Sequence, residues 1–448
     1  MMVKYLLAQK LKACYHVDVQ KKLRVLMIGW ELPPHNSGGL GTACAQIAQA
    51  LTDDGCQLKF TLPYITNDYP DGIEVVDCHS ESWADFFPEY QNTRPPFSAY
   101  SPVISISDDD QLTHLPPPGS WMEDRVEEYA QQVYAYALAH LDEFDLVHAH
   151  DWMTIPAALL IKQKLGKPFV AHFHSTEYDR SGSIDRSTYI GQCELAGMRL
   201  ADRVLAVSYY TKRVLVEQYQ IDPCKIDVVH NGVVRFLQSV SGQEKVFAQG
   251  RPVVVFMGRL TMQKGPDYFI RLAEKLMTQR PDILFIVSGM GDMYQHLLLS
   301  TASKSLSANL LFSGFVRGGA QQAILKRADV FVMPSVSEQY GLSAAEAAMY
   351  HTPVIASKNS GVVEVMSGSP QFDFWDVDAM AQEVLHLLTD RDYRERVIDD
   401  QIAKLDKNTW KKSARKIEKI YQRVAASTMA KKPRRQVKAR RKGVKANA

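Results

Sequence analysis

The sequence predicts an α/β protein made of two Rossmann-like, doubly wound domains that face each other across a central cleft. Three observations carry that expectation. Short apolar, β-branched runs alternate with longer amphipathic stretches along most of the chain. Those runs are apolar on both faces, as parallel strands covered by helices are. The pattern also begins again: Pro252–Gly258 reads as a first strand running into a glycine loop, just as Leu23–Gly29 does. A single sheet holding every run would be too long, whereas 448 residues suit two or three domains of ~150 residues.

Taken in order, Met1–Lys22 precedes the first strand and reads as an N-terminal extension. Strands are expected at Leu23–Gly29, Gln57–Leu62, Asp145–Ala149, Phe169–Phe173, Arg203–Val207 and Lys225–Val229, with helices over Leu40–Leu51, Glu123–Leu141 and Ser187–Leu200. Thr66–Ser120 breaks the rhythm. It is rich in Pro, Asp and aromatic residues, has no clear period, and is long enough to read as a functional or mobile loop. The polar stretch Arg235–Arg251, with Gly242 and Gly250, divides the chain into a first domain at 23–233 and a second at 250–410. The second holds strands at Pro252–Met257, Ile283–Ser288, Leu310–Phe315, Val330–Met333 and Pro353–Ala356, and a helix over Asp267–Met277. A basic amphipathic pattern at Lys411–Val424 predicts a C-terminal helix at 411–428, followed by a basic tail at 429–448.

Composition narrows the class. With 46% hydrophobic and 23% charged residues the chain is an ordinary globular protein, and disorder is excluded for most of its length. No stretch reaches ~18 uninterrupted apolar residues, so no transmembrane helix is expected. No apolar signal region follows Lys4, Lys10 and Lys12, which points to the cytoplasm. Cysteines 14, 44, 56, 78, 193 and 224 form no Cys-x-x-Cys pair and read as free thiols. Residues 431–448 hold nine Lys/Arg and no acid, so the rest of the chain is mildly acidic, with 50 acids against the remaining 43 bases. Such a tail repels itself and reads first as solvated. Its functional reading is attraction to an anionic surface; nucleic acid is not an expected partner.

Four constellations carry chemistry. Gly38-Gly39-Leu40-Gly41 follows the first strand, where glycines let backbone approach a ligand and the next helix offers N–H groups to an anion. A tight turn accounts for it equally, and the dinucleotide spacing G-x-G-x-x-G is absent. His148-Ala149-His150-Asp151-Trp152 and His172-Phe173-His174-Ser175-Thr176-Glu177 each stand where a parallel strand should end. His148 and His150 share a face, as do His172 and His174, and together with Asp151 they could form a metal site. Otherwise His148 and His172 belong to the interior, while His150, Asp151 and His174 are placed to reach a cleft ligand. Gly258-Arg259-Leu260 and Lys264-Gly265 set two cations five residues apart before a helix, which suits a diphosphate. Finally, Ser337-Glu338-Gln339-Tyr340-Gly341-Leu342-Ser343-Ala344-Ala345-Glu346 follows a buried run. Its two carboxylates can take the hydroxyls of two parts of an extended ligand, with a helix start near Leu342 between them for a phosphate.

These motifs resemble glycosyltransferase family 4, the retaining GT-B enzymes, and within it the glycogen- and starch-synthase-like members. The resemblance covers roughly residues 23–425. It rests most on Glu338-x7-Glu346 with Gly341-Leu342 between and Pro334-Ser335 before. Support comes from Arg259 and Lys264, Asn231-Gly232-Val233, His150-Asp151-Trp152, His174-Ser175-Thr176-Glu177, and Trp30-Glu31-x-Pro33-Pro34 leading into Gly38-Gly39. The resemblance implies that the second domain binds the nucleotide-sugar donor and the first the acceptor. It implies that Arg259 and Lys264 hold the donor diphosphate, Glu338 the sugar hydroxyls and Glu346 the ribose. His174 would lie beside the transferred sugar and Asp151 on the acceptor side. Gly38, Gly39, Asn231, Gly341, Leu342 and Ser343 would complete the donor site. Two departures stand out: Gln339-Tyr340 follows the first Glu where Pro or Gly is usual, and Asn36 replaces the lysine of the starch-synthase loop. The acidic cluster Asp108-Asp109-Asp110 falls in the aperiodic segment and reads as a solvated loop.

The expected activity is therefore retaining transfer of a hexosyl group, glucose first, from a UDP- or ADP-sugar to a glycan or other hydroxyl acceptor, an α-glucan first. Neither a cofactor nor a metal is expected. Three rivals share the sequence features: a metal-dependent hydrolase on the strand-end histidines, a nucleotide-sugar epimerase, and a non-catalytic sugar-nucleotide binder of the same fold.

Overall fold

The computed structural model describes residues 23–35, 38–64, 70–79, 120–184, 188–234, 250–303 and 306–431. Met1–Lys22, Asn36, Asp108-Asp109-Asp110, most of Thr66–Ser120, the dividing stretch 235–249 and the tail 432–448 lie outside the described residues.

Among the described residues two parallel sheets form. The first contains β1 (Arg24–Ile28), β2 (Gln57–Leu62), β3 (Glu74–Asp77), β4 (Leu146–His150), β5 (Phe169–Phe173), β6 (Arg203–Ala206) and β7 (Ile226–Val228), in the order β3-β2-β1-β4-β5-β6-β7. The second contains β8 (Val253–Met257), β9 (Leu284–Ser288), β10 (Leu310–Gly314), β11 (Val330–Met333), β12 (Val354–Ser357) and β13 (Gln371–Phe372), in the order β10-β9-β8-β11-β12-β13. Each order reverses once, between β1 and β4 and between β8 and β11. The carboxyl ends of strands at such a reversal open a crevice that no crossing helix covers.

The central strands are buried on both faces because helices cover both. On one side of the first sheet Leu26, Ile28, Val147, Ala149 and Phe173 pack with Tyr129, Ile155 and Ile161 from helices. On the other, Val25, Met27, Phe60 and Leu146 pack with the Gly39–Asp53 helix. The second sheet repeats the arrangement, with Phe331 and Met333 on one face and Val254, Phe256 and Val332 on the other.

One strand differs from the sequence expectation, and one expected helix has a destination that the sequence left open. Glu74–Asp77, inside the stretch read as aperiodic, pairs with β2 as an edge strand. Its four residues have only two partly buried positions, too short a pattern to show a period. The amphipathic run expected at Lys411–Val424 is a helix over Trp410–Lys431, and it does not stay with the second sheet. It crosses back, and Trp410, Ala414, Ile417, Ile420, Tyr421 and Val424 close the core beneath the first sheet beside the Gly39–Asp53 helix. The crossing is stitched to the earlier passage of the chain between the sheets. Val233 bridges Thr409, Asn408 Nδ2 donates to the Asn231 carbonyl at 2.5 Å, and Ser413 Oγ donates to the His230 carbonyl at 2.6 Å. Gly232 is required there: a Cβ on it would lie 2.1 Å from the Trp410 backbone nitrogen.

Candidate active site

The loops at the two reversal points meet in a cleft of about 900 Å³ between the sheets. From the first sheet come the loop after β1 and the residues after β4 and β5. From the second come the loops after β8, β9, β10 and β11. All twelve residues assigned to the site from sequence line this cleft: Gly38, Gly39, Asp151, His174, Asn231, Arg259, Lys264, Glu338, Gly341, Leu342, Ser343 and Glu346.

The glycine loop faces the second domain closely. A Cβ on Gly38 would sit 3.3 Å from the Arg259 guanidinium, and one on Gly39 would sit 3.4 Å from Leu342 Cδ1. Any larger side chain would fill the gap between the cation and the loop. Leu342 opens the Leu342–Met349 helix, and Gly341 before it sits in the left-handed region with φ 102°. A Cβ on Gly341 would also press on Met333 and Val362. The turn therefore aims the helix N-terminus, a partial positive charge, into the cleft beside Arg259. Ser343 Oγ donates to the Met257 carbonyl at 3.1 Å and ties that helix to the end of β8.

Lys264 and Glu338 form a bidentate ion pair, with Nζ at 2.9 Å from Oε1 and 2.8 Å from Oε2. The sequence grouped Lys264 with Arg259 and Glu338 with Glu346; the fold pairs Lys264 with Glu338, because the loops after β8 and β11 lie side by side. Glu346, in the cleft wall, accepts from Gln321 Nε2 at 2.7 Å. Burial pushes its carboxyl up to about 7, opposed by that hydrogen bond. Gln321 is a site residue that sequence reading missed. It lies in the Gly318–Arg327 helix, which carries no recognisable motif.

On the first-domain wall Asp151 has φ 57°, unusual for a residue with a Cβ. The bend turns its carboxylate towards the next loop, where Oδ1 accepts from His174 N at 2.7 Å and Ser175 N at 3.4 Å. Oδ2 is buried without a partner among the described residues, and burial pushes the group up to about 8. His174 is pushed down to about 3 by burial and is a neutral imidazole. Its Nε2 meets His150 Nδ1 at 2.9 Å. His150 itself is fully buried and does not line the cleft, contrary to the expectation that it would reach a ligand. Its side chain points from β4 into the layer under the Gly39–Asp53 helix. His148 and His172 lie in that interior too, as expected. Groups that could hold a metal ion are His148, His150 and His172, and Cys44 with His150 and His174.

Glu31, in the Trp30-Glu31 motif, is buried in the cleft wall and accepts from Gly41 N at 3.1 Å, bracing the glycine loop. Across the cleft, Ser337 Oγ donates to Asp179 Oδ1 at 2.8 Å and accepts from Tyr210 Oη at 2.9 Å. Glu364 accepts from the backbone of Tyr209 and Tyr210 at 2.8 and 2.7 Å and meets His230 Nε2 at 2.7 Å. These bonds fix the two sheets in the facing arrangement.

Two facing parallel sheets with a cleft between their strand ends are the GT-B architecture, and the comparisons point the same way. Residues 37–235 match Glycosyltransferase Family 4, and residues 240–404 match Glycosyl transferases group 1. An uncharacterised glycosyltransferase of Methanocaldococcus jannaschii is 28% identical over 89% of this chain and 98% of its own length. Glycogen synthase of Mycobacterium tuberculosis is 24% identical over 77% of this chain and 80% of its own. The catalytic domain of starch synthase IV from Arabidopsis thaliana, solved with ADP and acarbose, superposes with a TM-score of 0.68 at 16% identity, covering 91% of this chain and 100% of that one. Between them the two family matches span most of the chain, which belongs to the family 4 type of GT-B glycosyltransferases.

Proposed function

We infer that the protein is a retaining hexosyltransferase that moves glucose from a nucleoside-diphosphate glucose to a hydroxyl of an α-glucan. The observation that carries this reading is the anion pole of the cleft. Arg259, Lys264 and the N-terminus at Leu342 converge opposite Gly38 and Gly39, with Glu338 and Glu346 on either side. A diphosphate fits between the cations, a sugar between Glu338 and His174, and a ribose at Glu346. Glycogen synthase among the relatives, and a starch synthase solved with ADP and acarbose, favour glucose and a glucan.

The chemistry follows from the charges. As the glycosidic bond to the diphosphate breaks, negative charge grows on the leaving phosphate. Arg259, Lys264 and the helix dipole are fixed in advance to stabilise it. Glu338 holds Lys264 in place before the donor arrives and accepts sugar hydroxyls after it. His174, being neutral, serves as a dipole and hydrogen-bonding partner. Among the residues assigned here none is placed as a covalent nucleophile, so the acceptor hydroxyl attacks from the face of the departing phosphate, which takes its proton. A closed cleft keeps water, the competing acceptor, away.

A screen of nucleotide sugars with a maltooligosaccharide acceptor tests the reading. Release of nucleoside diphosphate, with glucose added in the α configuration, is the expected result. Chelator should leave turnover unchanged, because two cations already neutralise the diphosphate. Transfer abolished by chelator and restored by manganese would overturn the charge assignment.

A further inference from the structure

Glu346 reaches the cleft with its carboxylate already held by one partner, because Gln321 Nε2 donates to Glu346 Oε2 at 2.7 Å. The two residues come from different helices, and the packing of those helices brings them together. On the Gly318–Arg327 helix, Gln321 stands one turn before Leu325 and shares its face. Leu325 is fully buried in the core that also holds Ala344, Ala345 and Ala348 of the Leu342–Met349 helix. Thr352 Oγ1, just past that second helix, donates to the Leu325 carbonyl at 2.6 Å. The first helix cannot slide along the second without breaking this bond, so the core delivers the Gln321 amide to Glu346. Both side chains line the cleft and both are only partly buried, so a ligand reaches them.

A carboxylate that takes the two neighbouring hydroxyls of a ribose needs a fixed plane and a negative charge. The Gln321 amide contributes to both. Its N–H anchors Oε2 against rotation of the carboxylate and leaves Oε1, with the second lone pair of Oε2, for a ligand. It also donates to the charged form, and so opposes the burial that pushes this carboxyl up to about 7. Charged and titratable neighbours surround the pair. On the helix of Glu346, Tyr350 follows one turn on, its hydroxyl pushed up to about 12 by burial and by Glu346 itself. On the helix of Gln321, Lys326 lies over the Tyr350 ring at 5.8 Å. From the loops after β8, β10 and β11, Arg259, Arg317 and the Lys264–Glu338 pair face the same cleft. Burial and the Gln321 bond set the titration of Glu346.

We propose that Gln321 is a positioning residue for the donor, holding the Glu346 carboxylate in the plane that accepts both hydroxyls of the ribose. The inference rests on the reading of Glu346 as the ribose contact. Gln321 acts through Glu346 and away from the bond that breaks, so its effect falls on donor binding more than on turnover. The carboxyl must lose its proton to accept both hydroxyls. Donor binding therefore strengthens as pH rises through about 7, and removing the amide moves that midpoint higher.

The test is calorimetric titration of the full chain with UDP-glucose and with ADP-glucose from about pH 5.5 to 8.5, a range in which neither donor changes charge. Gln321→Leu should weaken donor binding at neutral pH by about tenfold and shift the midpoint upward. In steady-state kinetics its KM for the donor should rise by more than kcat falls. In a Glu346→Gln background the same substitution should change donor affinity less than about twofold, with the pH dependence gone. Folded Gln321→Leu protein with wild-type affinity and an unmoved midpoint overturns the proposal. So does a loss of affinity that is equally large in the Glu346→Gln background, which would make Gln321 a contact in its own right. A chain that binds neither donor fails differently: it removes the nucleotide-sugar reading, and the proposal with it.

Discussion

Lys264 and Glu338 occupy each other's charge, which sets the expected behaviour of their variants. Under the proposed function, Lys264→Ala removes a cation whose hold strengthens as the diphosphate departs. The loss of such a donor costs ~3 kcal/mol, about a hundredfold in turnover. It also strands the Glu338 carboxylate, which is only 10% exposed. Glu338→Gln keeps the volume but frees Lys264, and should likewise cut turnover strongly. Glu346→Gln should act mainly on nucleotide affinity. Steady-state kinetics on folded variants decides it, and near wild-type turnover in both Lys264→Ala and Glu338→Gln refutes the site.

Asp151 gives a second test at the same scale. Its folded-state carboxyl is raised from 3.8 to about 8 by burial, so the folded protein keeps a proton that the unfolded chain releases. Its contribution to stability is therefore fullest below the unfolded value and is lost as pH rises towards 8. Asp151→Asn retains the acceptor for His174 N and removes the titration. Its urea midpoint should fall less than that of wild type between about pH 5 and 8. Parallel pH profiles would show that Asp151 is already ionised.

At the scale of elements, the seam between the two passages of the chain is the most sensitive point. Gly232→Ala drives a Cβ into the Trp410 backbone, which cannot move without shifting the returning helix. A cost of about 2 kcal/mol, in the range of core overpacking, should appear as a melting temperature lowered by several degrees. An unchanged melting curve would mean that the seam yields. The same seam shows where sequence reading stops. β1, β4, β5, β8 and β11 were visible as largely apolar runs because strands covered on both faces have few polar residues to blur them, the histidines of β4 and β5 being the exception. The site loops were visible because glycine, paired cations and spaced carboxylates are uncommon together. The destination of the Trp410–Lys431 helix was not: its apolar stripe says that it packs, but not on which sheet. Gln321 and Glu364 escaped for a related reason. Each acts through a partner distant in sequence, and neither glutamine nor glutamate marks itself by type. The ion pairing of Lys264 with Glu338 was hidden in the same way, since spacing along the chain does not reveal which loops lie side by side.

At the scale of the molecule, charge and shape are separate matters. Among the described residues no helix is long and apolar enough to cross a membrane. The nine-cation segment 431–448 almost entirely follows the described helix. Removing Lys431–Ala448 should leave transfer to a soluble acceptor intact and reduce binding to anionic vesicles, measured by co-sedimentation at low and high salt. A folded, truncated protein without transfer activity would contradict this.

The return of the Trp410–Lys431 helix has a consequence for the order of manufacture. Tyr421 reaches His148 across 273 positions of sequence, and Ser413 reaches His230 across 183. A ribosome delivers all seven strands of the first sheet well before it delivers the helix that covers one of their faces. The second sheet, whose strands lie wholly within the intervening stretch, can be completed while the first still waits with apolar residues bare. The nascent chain thus finishes its later half first, and a message cut short after the second sheet would yield a protein with one mature half and one open to aggregation.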